Sequence, residues 1–285
     1  MRAGPGFRIM IWLGVAALLL WSLGPIYWTL ASAITPSADF AARPIHFFPQ
    51  NFTLNHFERL LGINVDRIGG VEVWKQFRVA LLNSIVTALA STVACVAMSA
   101  FGGYAFTRLR FPGRRWMFFA VVATLAIPGY AVLIPLYRLM IGLHMVDTVT
   151  GITLIYVSAF LPLSLWLMRN VFESLPLSLE EAAQLDGASR LGIFFRIVLP
   201  LVGPGLTAAA ILTFLGAWGQ YVVPLIFSPT ATKPLTVLIP EFATKNFIDY
   251  GLITASGSIA IVIPALVVIF LNRYLVSGLL AGSVK

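Results

Sequence analysis

The stretch Glu181–Pro200, EAAQLDGASRLGIFFRIVLP, carries the chain's most specific grouping of contact-making residues. Glu181, Ala182, Ala183, Asp186 and Gly187 open it, and Ile197, Leu199 and Pro200 close it. Their types suit either close contact with a partner or packing on the same chain. An acidic side chain can pair with a cation or cap its own helix, and small side chains permit close approach. Catalysis has no comparable candidate. None of the four lysines, Lys75, Lys233, Lys245 and Lys285, follows a glycine, so the chain has no P-loop of its own. His46, His56 and His144 have no metal-ligand spacing, and no Gly-x-Ser-x-Gly elbow occurs. No metal, catalytic residue or cofactor is expected on this chain.

Elements must hold these residues. Pro176 ends what precedes, and Ser178 with Glu181 three positions on reads as a capping box, placing a helix start at Leu179. Ala182 and Ala183 favour helix and keep its surface small. Asp186-Gly187 supplies a turn in which glycine takes positive φ. A second helix through Ile193, Phe194, Ile197 and Leu199 buries one face, and Leu199-Pro200 leads into the next apolar run. The result is a compact helix–turn–helix usable as a lever. The competing reading is an amphipathic loop packed on its own protein.

The surroundings are membrane. Hydrophobic residues make up 59% of the 285 residues and charged ones 11%, with mean hydropathy +0.91, against about a quarter charged in soluble domains. The fold class expected is all-α integral membrane, with six transmembrane helices near Ile9–Ala33, Val79–Phe106, Trp116–Met140, Val149–Met168, Pro204–Phe227 and Leu252–Leu271. Arg2 and Arg8 before an apolar run ending at Ala31-Ser32-Ala33 resemble a cleaved signal, but the run of about 25 residues favours a retained helix. With a cytoplasmic N-terminus the inner segments hold 11 basic and four acidic residues and the outer ones eight and seven. The excess lies inside, which places both termini and the Arg169–Arg196 loop in the cytoplasm. The formal charge of +8 therefore reports topology and membrane lipid, with no nucleic-acid partner expected.

Other features are organisational. Residues 34–78 read as an external loop, either folded on the membrane or meeting an external partner, with Trp74 and Phe77 as interfacial anchors. Asn83, Thr87, Ser91, Cys95, Ser99 and Gly103 recur every four residues, a small or polar stripe suited to helix–helix contact, with Cys95 as a packing residue. Pro128, Pro135, Pro162, Pro224 and Pro264 lie in or at the ends of the last four spans, where each can kink a helix. No carboxylate lies mid-span, which disfavours a proton-coupled secondary transporter.

Glu181-Ala-Ala, Gly187 and Ile197-x-Leu199-Pro200 resemble the EAA loop of ABC-importer permeases. Leu82-Asn83-Ser84, Phe111–Arg115 and the tail Arg273–Lys285 resemble carbohydrate-type (maltose G-type) members. The resemblance implies one permease domain over 1–285, with a core at about 79–276, a coupling loop at 169–196 and a cytoplasmic tail at 273–285. It further implies a bacterial or archaeal cytoplasmic membrane, a second permease, two ATPase subunits holding ATP and Mg, and an external solute-binding protein. The loop would dock into an ATPase subunit, and the tail residues Gly278, Ala281, Gly282 and Lys285 would contact the ATPases. Sugar is the solute class implied; a polyol, glycerol phosphate or peptide is the alternative. Trp218, Gln220 and Tyr221 offer ring faces, an amide and a hydroxyl for a sugar pathway, or pack within the bundle. After Trp218 this chain has Gly219-Gln220, where such relatives often carry an Asn-acidic pair.

Overall fold

The computed structural model describes residues 5–41, 43–44, 46–64, 67–68, 71–243 and 248–282. Among them, helices dominate. In chain order these are α1 (Pro5–Ala33), α2 (Asn55–Leu61), α3 (Val73–Arg108), α4 (Arg114–Ala123), α5 (Leu133–Gly142), α6 (Val149–Ser174) and α7 (Ser178–Leu185). There follow α8 (Arg190–Ile193), α9 (Leu199–Leu201), α10 (Gly203–Trp218), α11 (Val222–Phe227), α12 (Leu235–Leu238) and α13 (Tyr250–Gly282). Two-residue strands β1 (Arg67–Ile68) and β2 (Val71–Glu72) pair antiparallel, with Arg67 opposite Glu72.

Among the described residues, four helices are long and apolar enough to cross a membrane, and two bent pairs raise the number to as many as six. The expected third and fifth spans are therefore corrected, since neither is a single helix. In the third, a segment through Ala126 and one from Gly129 meet at 96°. The cause is local. Ile127 precedes Pro128, which disfavours the α region, and both residues are extended, with ψ of 123° and 116°. Just before the expected fifth, Arg190–Leu201 and Gly203–Trp218 meet at 73° about Val202. That helix stops at Trp218, and Val222–Phe227 forms a separate short helix. The second span starts earlier than expected, at Val73, and α6 continues to Ser174, so the first residues of the expected 169–196 loop are helical.

The chain divides into two compact units. One comprises residues through Val79 with Leu238–Ile263. Its α1 is apolar all round and exposes Leu20 and Trp21, as a lipid-facing span does. The segment expected as an external loop is folded. His56 is buried, its Nε2 3.0 Å from the Thr35 carbonyl, and Arg59 pairs with the buried Asp249 at 2.5 Å. Asp249 Oδ1 also accepts from Leu252 N at 2.9 Å, capping α13. Phe77 is buried and Trp74 covers Gly62, so this pair faces protein where an interfacial anchor was expected.

The other unit comprises Ala80–Val237 and Pro264–Lys285. Its core joins Ala100 of α3, Met168 and Phe172 of α6, Ala183 of α7, Ile193, Phe194 and Val198 after it, and Ala209 of α10. The small stripe on α3 packs as expected. Ser91, Cys95 and Ser99 are fully buried, and Cys95 Sγ donates to the Val157 carbonyl at 3.8 Å. A Cβ on Gly103 would lie 3.1 Å from the backbone of Met168 and Arg169, so glycine there permits backbone-to-backbone contact of α3 with α6.

Candidate functional site: a surface segment fixed to a transmembrane helix

Helix α7 is held by a buried ion pair. Arg108 Nε, at the end of α3, donates to Glu180 Oε1 at 2.6 Å, and Tyr104 OH donates to Glu180 Oε2 at 2.9 Å. Arg108 Nη2 also donates to the Leu175 carbonyl at 2.8 Å. Glu180 is 4% exposed, so both carboxylate oxygens are satisfied away from water, as a buried charge requires. Ala183, one turn on, faces the same core.

The capping box does not form. Leu177 is already helical, at φ −65° and ψ −28°, and its carbonyl accepts from Glu180 N and Glu181 N. Ser178 therefore lies within the first turn and caps nothing. The cap falls on the next helix instead, where Ser189 Oγ accepts from Gly192 N at 3.2 Å. Gly187 has φ +80°, the conformation expected of it, and Gly187 N and Ala188 N return to the carbonyls of Gln184 and Ala183. Past Ile193 the helix widens into a π-helical turn at Phe194–Val198 before α9. Phe194 points inward, 5.0 Å from the Tyr104 ring centre. Ile197 and Leu199 pack against the core, and Pro200 is exposed.

What remains outside is a run of Glu181, Ala182, Gln184, Leu185, Asp186, Gly187 and Ala188, interrupted by the buried Ala183. Leu185 is 90% exposed, and Leu191 beyond the turn is 69% exposed. Sequence reasoning missed Glu180 as the anchor and these leucines as the exposed apolar points. Glu180 and Glu181 are adjacent, and only the position of Arg108 separates their roles. The leucines break the amphipathic pattern, which was a signal that could have been read.

The part of α3 nearest the start of this unit is fixed as well. Asn83 Nδ2 donates to the carbonyls of Ala231 and Lys233 at 3.1 and 3.0 Å, and Ser84 Oγ accepts from Leu235 N at 2.8 Å. The same 228–236 segment receives Asp147, a left-handed residue at φ 57°. Its carboxylate accepts from the amides of Ala231 at 2.8 Å and Thr232 at 3.0 Å and from the hydroxyls of Thr230 and Thr232. Partial burial pushes this carboxyl up, but those bonds outweigh it and bring it down to about 2.

Gln220 lines a cavity of about 440 Å³ beside the broken span, with Thr124, Tyr130, Tyr156, Ser158 and Phe160. Trp218 does not line it; it is buried and stacked on Phe214 at 5.6 Å. Tyr221 is exposed outside that lining. Gly278, Ala281 and Gly282 lie on the last turns of α13, and Lys285 lies outside the described residues.

Comparison with known proteins decides what this architecture belongs to. Residues 105–280 match the family described as binding-protein-dependent transport system inner membrane component. The chain belongs to that family. The trehalose transport system permease protein SugB of Mycobacterium tuberculosis is 31% identical over 284 residues, covering 98% of each chain. The arabinooligosaccharides transport system permease protein AraQ of Halalkalibacterium halodurans is 31% identical over 288 residues, 100% of this chain and 99% of the other. A chain of a bacterial ABC transporter involved in import of the acidic polysaccharide alginate shares the fold, with TM-score 0.78 over 96% of this chain and 98% of that one at 24% identity. The protein is thus a multi-helix membrane permease subunit of a binding-protein-dependent transport system.

Proposed function

We propose that this permease imports a sugar or oligosaccharide, powered by ATPase subunits that dock on α7 and the turn after it. The observation that carries the docking reading is Leu185. A leucine 90% exposed, on a helix whose opposite side is tied down by a buried ion pair, is an unfilled contact. Glu181 beside it offers a carboxylate to a cationic partner. The excess of basic residues on this side supports a cytoplasmic location with both termini alongside.

The lever is α3. Arg108 and Tyr104 hold α7 at one end, and Asn83 and Ser84 hold the 228–236 segment at the other. Displacement of α7 by a nucleotide-driven partner is thereby passed along one continuous helix to the opposite end of this unit. Such coupling needs two states that the partner binds differently. Cytoplasmic Gly278, Ala281, Gly282 and Lys285 extend the contact with the ATPases. ATP and Mg reside on those subunits, this chain holding no cofactor, and a second permease and an external binding protein complete the assembly.

The relatives that transport trehalose and arabinooligosaccharides support the solute class. The cavity at the broken span supports it chemically, since Gln220 supplies an amide and Tyr130 and Tyr156 supply ring faces and hydroxyls. Trp218 and Tyr221 are assigned to packing and to the cavity's surroundings. Purification in mild detergent tests the docking claim. Wild type should carry a stoichiometric ATPase, and Leu185→Asp should lose it while remaining folded; equal retention by both would refute the docking surface.

A further inference from the structure

Three arginines converge on one pocket that the transport reading does not use. Arg114, Arg115 and Arg169 line a cavity of about 310 Å³ together with Phe106, Phe118 and Phe119, where α3 ends, α4 begins and α6 makes its late turns. Each guanidinium is already oriented. Arg169 lies over the Phe118 ring at 4.4 Å, Arg115 over Phe119 at 5.6 Å, and Arg114 Nη1 donates to the Leu109 carbonyl at 2.9 Å. Among the described residues one carboxylate answers them, since Arg169 Nη2 donates to Glu173. Three positive charges therefore face one negative charge.

The location sharpens the imbalance. Arg114 and Arg115 occupy the first turn of α4, where the helix macrodipole is itself positive and basic residues are disfavoured. An anion in the pocket relieves both. Guanidinium forks match phosphate oxygens bidentately. The apolar surroundings select among phosphates. Trp116 is 80% exposed and Phe119 is 48% exposed beside the basic group, so an acyl chain and glycerol backbone have a surface to lie on. A free phosphate would use only the charges.

We propose that this pocket binds the phosphodiester of an anionic phospholipid headgroup, clamping the α3–α4 turn near the end of α3 that holds α7. The inference is independent of the solute and of ATPase docking. Native mass spectrometry of the full chain in mild detergent, with dioleoyl phosphatidylglycerol or dioleoyl phosphatidylcholine added, reads it directly. Arg114 is left intact because it ties down the turn. Each basic residue near a membrane surface contributes roughly fivefold to anionic-lipid binding. Wild type should retain phosphatidylglycerol selectively, Arg115→Gln/Arg169→Gln should lose about 25-fold on the same scale, and millimolar inorganic phosphate should not compete. Arg110→Gln removes one neighbouring charge outside the pocket and should lose no more than the roughly fivefold of a single surface charge, well short of the double variant. Three results would overturn the proposal: equal retention of the two lipids, equal loss in Arg110→Gln, or displacement by inorganic phosphate. Were the double variant to misfold, Arg115→Gln alone, an exposed position, should lose about fivefold, and no loss would count against the pocket.

Discussion

Arg108 bonds two places at once. Its Nε reaches Glu180 on α7 at 2.6 Å and its Nη2 reaches the Leu175 carbonyl before α7 at 2.8 Å. One guanidinium at the end of a transmembrane helix thus sets both the entry and the tilt of the surface segment. Truncation at Glu180 leaves that cation buried without its partner. Glu180→Ala is expected to cost about 3–5 kcal/mol, read as a lowered Tm in detergent. Glu181→Ala, on the exposed side, should leave Tm near wild type. Equal Tm values for the two variants would remove the pair as the anchor.

Gly187 sits at φ +80° with open space where a Cβ would project. The cost of a side chain there is conformational, about 1–2 kcal/mol. Gly187→Val should reduce ATPase co-purification while membrane insertion stays intact. Gly187→Asn, which tolerates the left-handed region, should reduce it less. Identical behaviour of the two would mean the turn's conformation is unimportant.

These features show where the sequence was legible. The surface helix and its turn could be read because Ala182, Ala183, Asp186 and Gly187 have strong local preferences, and the glycine adopted its expected φ. The stripe from Ser91 to Gly103 was legible because small residues at every fourth position have one use in a helix bundle. The capping box failed because Leu177 already has helical φ and ψ and its carbonyl accepts from Glu180 N and Glu181 N, which puts Ser178 inside the first turn. Glu180 was hidden because its partner lies 72 residues away on α3. The break at Pro128 could be suspected, but its 96° bend could not, since kinked and broken spans share the same hydropathy.

Asp147 gives a pH signature. Its folded carboxyl is depressed to about 2, below the roughly 3.9 of an unfolded chain. Its contribution is therefore present in full above about pH 4 and lost as pH falls toward about 2. Hydrogen exchange of the Ala231 and Thr232 amides should be slow and constant from pH 5 to 8, after correction for intrinsic rates, and should lose protection toward pH 3. Asp147→Asn should show weaker protection without that acid step. An unchanged acid step in the variant would assign it to another group.

Gln220 lies on the cavity wall, and the proposed solute contact there is testable. With saturating binding protein, Gln220→Ala should change solute preference or raise the concentration needed for half-maximal uptake, leaving basal ATPase activity unchanged. Unaltered preference and rate in an assembled complex would leave selection to the partner permease.

Uptake of labelled oligosaccharide into proteoliposomes, with the ATPase subunits, second permease and binding protein reconstituted alongside, addresses the lever most directly. Wild type should accumulate solute only when ATP reaches the ATPases. Leu185→Asp should abolish accumulation without altering the fold of the permease, since Leu185 packs against nothing of its own chain that its 90% exposure leaves room for. Accumulation without ATP, driven by an ion gradient, or ATP-driven uptake undiminished in Leu185→Asp, would contradict coupling through α7.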